Sequence, residues 1–381
     1  MKLIFIFFNS EINTGGHRRY LELAEGLAKR SNNVILIKNS ALKLDLPDIK
    51  IIDLTYKHRK KLLPHSLYSA WLIKRYKKLL KNEIEKCDFV VIFGETHFFA
   101  GCAAKKLFKA KLLFALRSDV ITESNFFIDS NKGKLLKQIK YRLDKWKYRI
   151  YEKMITRQAD LIVFQSSFDR DNFVYRARIQ PEKTCVIKNN IVESRFKKEY
   201  RHINNSSCLK KVLYIGTIIE RKGIQYLLEA LHTLEKKNIF LELTLLGKGP
   251  LEEEMKKLTV KLGLNQRVNF AGHNSVPFEY MKNHDILVVP SIFDSYPNVI
   301  LEGLHAGMPV IASRTGGIPD ILEDERLLFP PADPQAIADI LERLYNSREL
   351  YNEYRVLCES YYEKFLFDWP NVWETEMRKR I

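Results

Sequence analysis

Cysteine is scarce and scattered. Cys87, Cys102, Cys185, Cys208 and Cys358 are odd in number among 381 residues and form no CxxC pair and no Cys/His cluster. That excludes a disulfide framework and a cysteine-built zinc site, and it fits a reducing compartment. No apolar stretch approaches the roughly 20 residues of a membrane span. The opening run Leu3–Phe8 is six residues long and stops at Asn9-Ser10-Glu11. It is short for a signal-peptide core and is read as a buried first strand. Low-complexity and collagen-like compositions are absent too, leaving an ordinary globular chain long enough for two full cores.

Acidic residues are scarce in one part of the chain only. The net charge is +17. Residues 1–200 hold 41 Lys and Arg against 21 Asp and Glu, or +20, and residues 201–381 hold 22 against 25, or −3. Such a basic face attracts nucleic acid, anionic lipid or an acidic substrate. No nucleic-acid recognition motif accompanies it, so no nucleic-acid partner is expected. Two segments carry much of the excess. Leu62–Lys86 sets Leu67, Tyr68, Trp71, Leu72, Tyr76 and Leu79 at helical spacing among basic residues. It suits either a membrane interface or a core-packed helix with a solvated face. Lys132–Arg157 carries ten basic residues against Asp144 and Glu152, with Leu136, Ile139, Leu143, Trp146 and Ile150 recurring on one face. This second helix is read as a contact with an anionic membrane surface, with a coiled coil or a nucleic-acid helix as the alternative.

Apolar strands alternate with amphipathic helices through both halves of the chain. The pattern predicts two doubly wound parallel sheets with a cleft between them. Periodicity fails over 195–210, and the domains are drawn as 1–198, a linker at 199–208, 209–360, and a helical tail at 361–381. The densest stretch is Pro290–Asp320: a strand, a polar turn holding Asp294, a helix starting near Asn298 with Glu302 on it, a strand, and Thr315-Gly316-Gly317. A helix start at the carboxyl end of a parallel strand suits a phosphate, and the two carboxylates suit sugar hydroxyls. Gly15-Gly16, between the first strand and first helix, would let backbone approach a ligand closely.

These motifs together resemble glycosyltransferase family 4, the retaining group with the GT-B fold. The resemblance is carried by Gly15-Gly16, Gly216 through Gly223, Gly247-Lys248-Gly249-Pro250, Val268 through His273, Asp294 through Glu302, and Gly316-Gly317-Ile318-Pro319-Asp320. It extends to Phe367-Asp368-Trp369, which resembles the family's segment crossing back to the first domain. The implied donor is a nucleoside diphosphate sugar, with UDP-sugar expected from prevalence, and the transferred group a hexosyl unit. The implied acceptor is lipid-linked or polysaccharide, as in capsule and lipopolysaccharide synthesis at the inner face of the cell membrane. The resemblance gives Lys222 the charge on the leaving diphosphate, Gly16 a backbone N–H to it, Glu302 the ribose, and Asp294 the sugar. Gly15, Thr217, Arg221, Gly247, His273, Ser295, Tyr296, Asn298, Val299 and Ile300 complete the expected donor site. No metal and no cofactor are expected, since Lys222 and helix ends supply the charge.

Three departures from the family pattern stand out. The carboxylate pair is Asp294-x7-Glu302 rather than Glu-x7-Glu. Thr217 stands where an arginine is usual, with Arg221 as a compensating cation. Arg117 stands after a first-domain strand where a histidine is usual, with His97 as a rival near the reacting centre. Arg117 is able to bind phosphate or acceptor but not to act as a base. The alternatives to a membrane-bound transferase are a soluble transferase on a small-sugar or protein acceptor and a non-enzymatic nucleotide-sugar-binding protein.

Overall fold

A computed structural model describes the chain except residues 10, 13, 14, 55–64, 131–134, 192–208, 275 and 276. The expected linker at 199–208 lies outside the described residues. Two compact units form: Met1–Lys188 with Asp368–Ile381, and Asn189–Phe367. The sequence reading drew these boundaries at 198 and 361. The divisions fall elsewhere because Ile191 N–H donates to the Phe365 carbonyl at 3.0 Å and Asn190 donates to Phe367 O at 2.9 Å, tying both segments into the second unit.

The first unit is a seven-stranded, wholly parallel sheet. Its strands are β1 (Lys2–Phe7), β2 (Asn33–Asn39), β3 (Lys50–Leu54), β4 (Phe89–Phe93), β5 (Lys111–Ala115), β6 (Leu161–Phe164) and β7 (Thr184–Val186), in the order β3-β2-β1-β4-β5-β6-β7. Helices α1 (Gly15–Lys29), α2 (His65–Arg75), α3 (Lys77–Glu83), α4 (Phe98–Phe108), α5 (Val120–Ser130), α6 (Leu135–Gln158) and α7 (Ser167–Ala177) connect them. The central strand β4 is apolar at every position because both faces are covered: Phe89-Val90-Val91-Ile92 is buried throughout.

The second unit repeats the scheme with six strands: β8 (Lys211–Ile215), β9 (Glu242–Leu246), β10 (Val268–Gly272), β11 (Ile286–Val289), β12 (Val310–Ser313) and β13 (Leu328–Phe329), ordered β10-β9-β8-β11-β12-β13. Its helices are α8 (Ile224–Lys236), α9 (Glu252–Lys261), α10 (Pro277–Lys282), α11 (Asn298–His305), α12 (Pro334–Asn346) and α13 (Arg348–Tyr362). Each sheet has one switch point, where the strand order reverses: between β1 and β4, and between β8 and β11. Ligands of open parallel sheets bind beyond the strand ends at such points.

A last helix, α14 (Trp369–Arg378), closes the first unit. Arg30 holds it with hydrogen bonds to Asp368 and Asn371, both at 2.6 Å, and to Glu374 at 2.9 Å. Trp373 stacks on Phe93 at 5.4 Å, and the buried Arg19 lies 4.0 Å over Trp369.

Three element expectations need correction. The helix expected over Leu62–Lys86 breaks at Tyr76 (φ −92°, ψ 17°) into α2 and α3, and residues 62–64 are outside the described set. The apolar spacing over Lys222–Lys237 predicts a helix, and α8 starts two residues later, at Ile224, because Gly223 takes φ +64° and Glu220–Lys222 is a separate 3-10 turn. Strand β13 and helix α5 were not foreseen; a two-residue strand is below the reach of periodicity.

Candidate active site

The second unit's switch point is built from the loop after β8 and the turn after β11. The turn, 290–297, is held from both sides. Ile292 N–H donates to the Arg221 carbonyl at 2.8 Å, and Thr315 Oγ1 donates to the Ile292 carbonyl at 3.0 Å. Gly317 N–H donates to Asp294 O at 3.1 Å. Two glycines permit this closeness. A Cβ on Gly223 would lie 2.0 Å from the Pro290 carbonyl oxygen, and one on Gly316 (φ +54°) 2.0 Å from the Asp294 carbonyl oxygen.

The charged groups meet inside this frame. Lys222 Nζ donates to Asp294 Oδ2, and Arg221 Nη1 lies 3.6 Å from Asp294 Oδ1. Burial pushes the Asp294 carboxyl up, but the charges of Lys222 and then Arg221 outweigh it and hold the acid below its ordinary 3.8. Arg221 thus stands on the same carboxylate as Lys222, whereas Thr217 is exposed and contributes its carbonyl to the Tyr214 hydroxyl at 3.0 Å. Ser295 Oγ is buried and makes no hydrogen bond among the described residues.

Helix α11 starts immediately after the turn. Its N-cap is Pro297, so no side chain caps it. Asn298 Oδ1 accepts from Asn189 Nδ2 at 2.8 Å. Ile300 is fully buried, and its N–H donates to the Pro297 carbonyl at 3.1 Å. Asn298 and Val299 keep first-turn positions, and Glu302 lies one turn further, half-buried. Gly247 N–H donates to Gly272 O at 2.7 Å, knitting the loops after β9 and β10, while His273 is exposed beside them. Tyr296 is buried.

The first unit gathers a second set at its own switch point. Arg117, two residues past β5, runs over Gly94, whose Cβ would lie 3.7 Å from Arg117 Cδ. It ends on Gly16, where a Cβ would fall 1.7 Å from Cζ. Its guanidinium therefore sits at the start of α1, beside Gly15, where the helix dipole is also positive. Two positive sources at one point favour an anion. His17 feels the arrangement: burial and then the Arg117 charge lower its pKa. His97 is placed differently. It is buried, and its Nε2 accepts from Phe8 N–H at 2.8 Å, which ties the end of β1 to the segment after β4.

One residue here escaped the sequence reading. Glu95 follows β4 and Gly94; burial raises its pKa, with Arg117 and Lys147 opposing. It lines a cavity of about 20 Å³ with Ser118, Tyr148 and the Asp119–Arg176–Glu152 ion-pair network. The available signal was a Gly-Glu pair ending a buried strand, which the nearby histidine overshadowed. Among the described residues, no group of three or more His, Cys, Asp or Glu is placed to hold a metal ion.

Two doubly wound parallel domains, with a glycine-rich turn and a cation at each switch point, define the GT-B class. The chain belongs to the glycosyltransferases: the family described as Glycosyltransferase Family 4 matches residues 14–195, and Glycosyl transferases group 1 matches 196–356. An uncharacterized glycosyltransferase of Methanocaldococcus jannaschii is 24% identical over 362 residues, covering 92% of this chain and 90% of the relative. The N-acetylgalactosamine-N,N'-diacetylbacillosaminyl-diphospho-undecaprenol 4-alpha-N-acetylgalactosaminyltransferase of Campylobacter jejuni is 24% identical, with 82% and 81% covered. The crystal structure of Anabaena HepE in complex with UDP and glucose superposes with a TM-score of 0.74 at 17% identity, covering 100% of both chains.

Proposed function

We propose that this chain moves a hexosyl group from a UDP-sugar to a hydroxyl of a lipid-linked or polysaccharide acceptor, with retention at the anomeric carbon. The observation that carries the reading is the Lys222–Asp294–Arg221 cluster beside the uncapped start of α11. Breaking the sugar–phosphate bond puts negative charge on the departing diphosphate. Lys222, Arg221 and the first-turn N–H groups of Asn298 and Val299 stabilise that charge as it forms. Asp294 holds a sugar hydroxyl, Glu302 the ribose hydroxyls, and Ser295 Oγ a phosphate oxygen. Gly16 N–H and Arg117 of the first unit offer a second anion-binding point of their own. These groups replace a metal ion. The UDP and glucose bound to HepE support the donor assignment, and the undecaprenyl-linked substrate of the Campylobacter enzyme supports a lipid-linked acceptor.

Helix α6 supports a peripheral site on the inner face of the membrane. Leu136, Leu143 and Trp146 are 84, 61 and 66% exposed, and Ile139 and Ile150 continue their row at alternating spacings of three and four. Lys140, Arg142, Lys147 and Arg149 flank the row on both sides. In a coiled coil those positions would face like charges, so an anionic bilayer is the better partner. No helix among the described residues is long and apolar enough to cross a membrane.

The test is release of nucleoside diphosphate from UDP-, GDP- and ADP-hexoses by the purified protein, with and without chelator. Release from a UDP-hexose that survives chelation and disappears in Lys222→Ala and Glu302→Ala is expected. Release that persists undiminished in both variants overturns the assignment.

A further inference from the structure

The two basic, aromatic segments lie far apart in sequence, yet they form one surface feature. A groove of about 810 Å³ opens on the first unit, between α2, α4 and the end of α6. Its floor is apolar: Leu67 and Trp71 from α2, Phe99 and Ala103 from α4, and Met154 from α6. Its rim is cationic. Lys74, Lys106 and Lys109 line it, and among the described residues no carboxylate pairs with any of the three. Lys105 also lines it but is paired with Asp160 at 2.6 Å. Among the described residues, no acidic side chain lines the groove.

This combination selects its occupant. An apolar floor left open to water favours a hydrocarbon chain, and three uncompensated ammonium groups beside it favour phosphate. The volume lies within the ~300–1,000 Å³ range of small-molecule sites, too narrow for a folded partner. The groove is also continuous with the exposed row on α6, since Met154 is one turn beyond Ile150. A molecule resting on the membrane-facing row therefore meets the groove without leaving an apolar path.

We propose that the groove binds one anionic phospholipid, its acyl chain on the Trp71–Ala103–Met154 floor and its phosphate among Lys74, Lys106 and Lys109. This rests on the membrane reading of α6 but adds a stoichiometric site distinct from general adsorption. A bound lipid fixes which face of the first unit meets the bilayer, which adsorption by a single helix leaves free to rotate.

The test uses the full chain and monomeric short-chain phosphatidylglycerol below its micelle threshold, followed by isothermal titration. Short-chain phosphatidylcholine and inorganic phosphate serve as controls. Saturable one-to-one binding of phosphatidylglycerol is expected, with each control at least about tenfold weaker. Ala103→Trp fills the floor, and Lys106→Glu with Lys109→Glu reverses the exposed rim. Each is expected to weaken phosphatidylglycerol about tenfold or more. Equal binding to the wild type and both variants, or no saturable binding to the wild type, overturns the site. Flotation with phosphatidylglycerol vesicles separates the two ideas. If Leu143→Glu/Trp146→Glu releases the protein from vesicles yet short-chain lipid still saturates, both readings hold. If vesicles never bind while short-chain lipid does, the membrane reading fails and the lipid site stands.

Discussion

Lys222 and Asp294 show how much one contact decides at the residue scale. Their side chains are largely buried, so removing one partner strands the other. Lys222→Ala should lower kcat about 10²–10³-fold, the usual loss for one preorganised electrostatic group. It should also cost about 3 kcal/mol in stability, read by urea unfolding. The pH dependence follows from the lowered Asp294 pKa. The unfolded chain holds this proton more tightly than the folded one, so the pair's stabilisation is complete above the unfolded value of 3.8 and drains away as pH falls through the lower folded value. Unfolding titrated down from about pH 6 should therefore show a steeper acid loss for the native chain than for Asp294→Asn. Two glycines give opposite outcomes at equal crowding. Gly316→Ala drives a Cβ into the Asp294 backbone at a positive φ, and should cost about 1–3 kcal/mol. Gly16→Ala meets only the tip of Arg117, which is able to swing aside. Stability should change by less than about 0.5 kcal/mol, while UDP-sugar affinity by titration falls as the guanidinium leaves the start of α1.

At the scale of elements, α6 is the unusual one. Its carboxyl-terminal third packs on α4 through Tyr151 against Phe98 and Phe99, while earlier turns pack on α5, where Phe127 stacks on Tyr141 at 4.9 Å. The outer row stays exposed, with Leu136, Leu143 and Trp146 more than half open to solvent. Leu143→Glu with Trp146→Glu should leave the melting temperature within a degree or two of wild type, since both side chains are exposed. Flotation with anionic vesicles should fall about tenfold or more, as two inserted groups become repelled ones. For this helix, sequence reading found the amphipathic pattern, but only packing separates a core stripe from an exposed one. The same limit applies to α2, whose Leu72 and Ile73 are core while Leu67 and Trp71 are not.

For the molecule as a whole, the chain leaves the first unit at Lys188 and returns at Asp368. Trp373→Ala removes a ring that is buried against Phe93 and should cost the first unit about 3–5 kcal/mol. A saturating donor at 100 Kd adds about 2.7 kcal/mol to the stability of the folded protein. Calorimetry should then show opposite shifts: Trp373→Ala lowering the melting temperature and UDP-sugar raising it. No upward shift with saturating UDP-sugar would contradict the donor assignment.

Sequence alone determined the two parallel sheets, because runs such as Phe89–Ile92 and Ile286–Val289 are apolar at every position and only a strand covered on both faces needs that. It also determined the turn at 290–297 and the helix start at Asn298, since Pro, Ser, Asp and Asn act through local backbone geometry. What it left open were distances across the chain. That Arg221 shares a carboxylate with Lys222, that Arg117 ends on Gly16, that His97 is spent on Phe8, and that α2 and α6 line one groove are facts of tertiary packing. Local preference carries no record of which loops the strand order brings together; the reversal between β8 and β11, and between β1 and β4, is what placed these residues side by side.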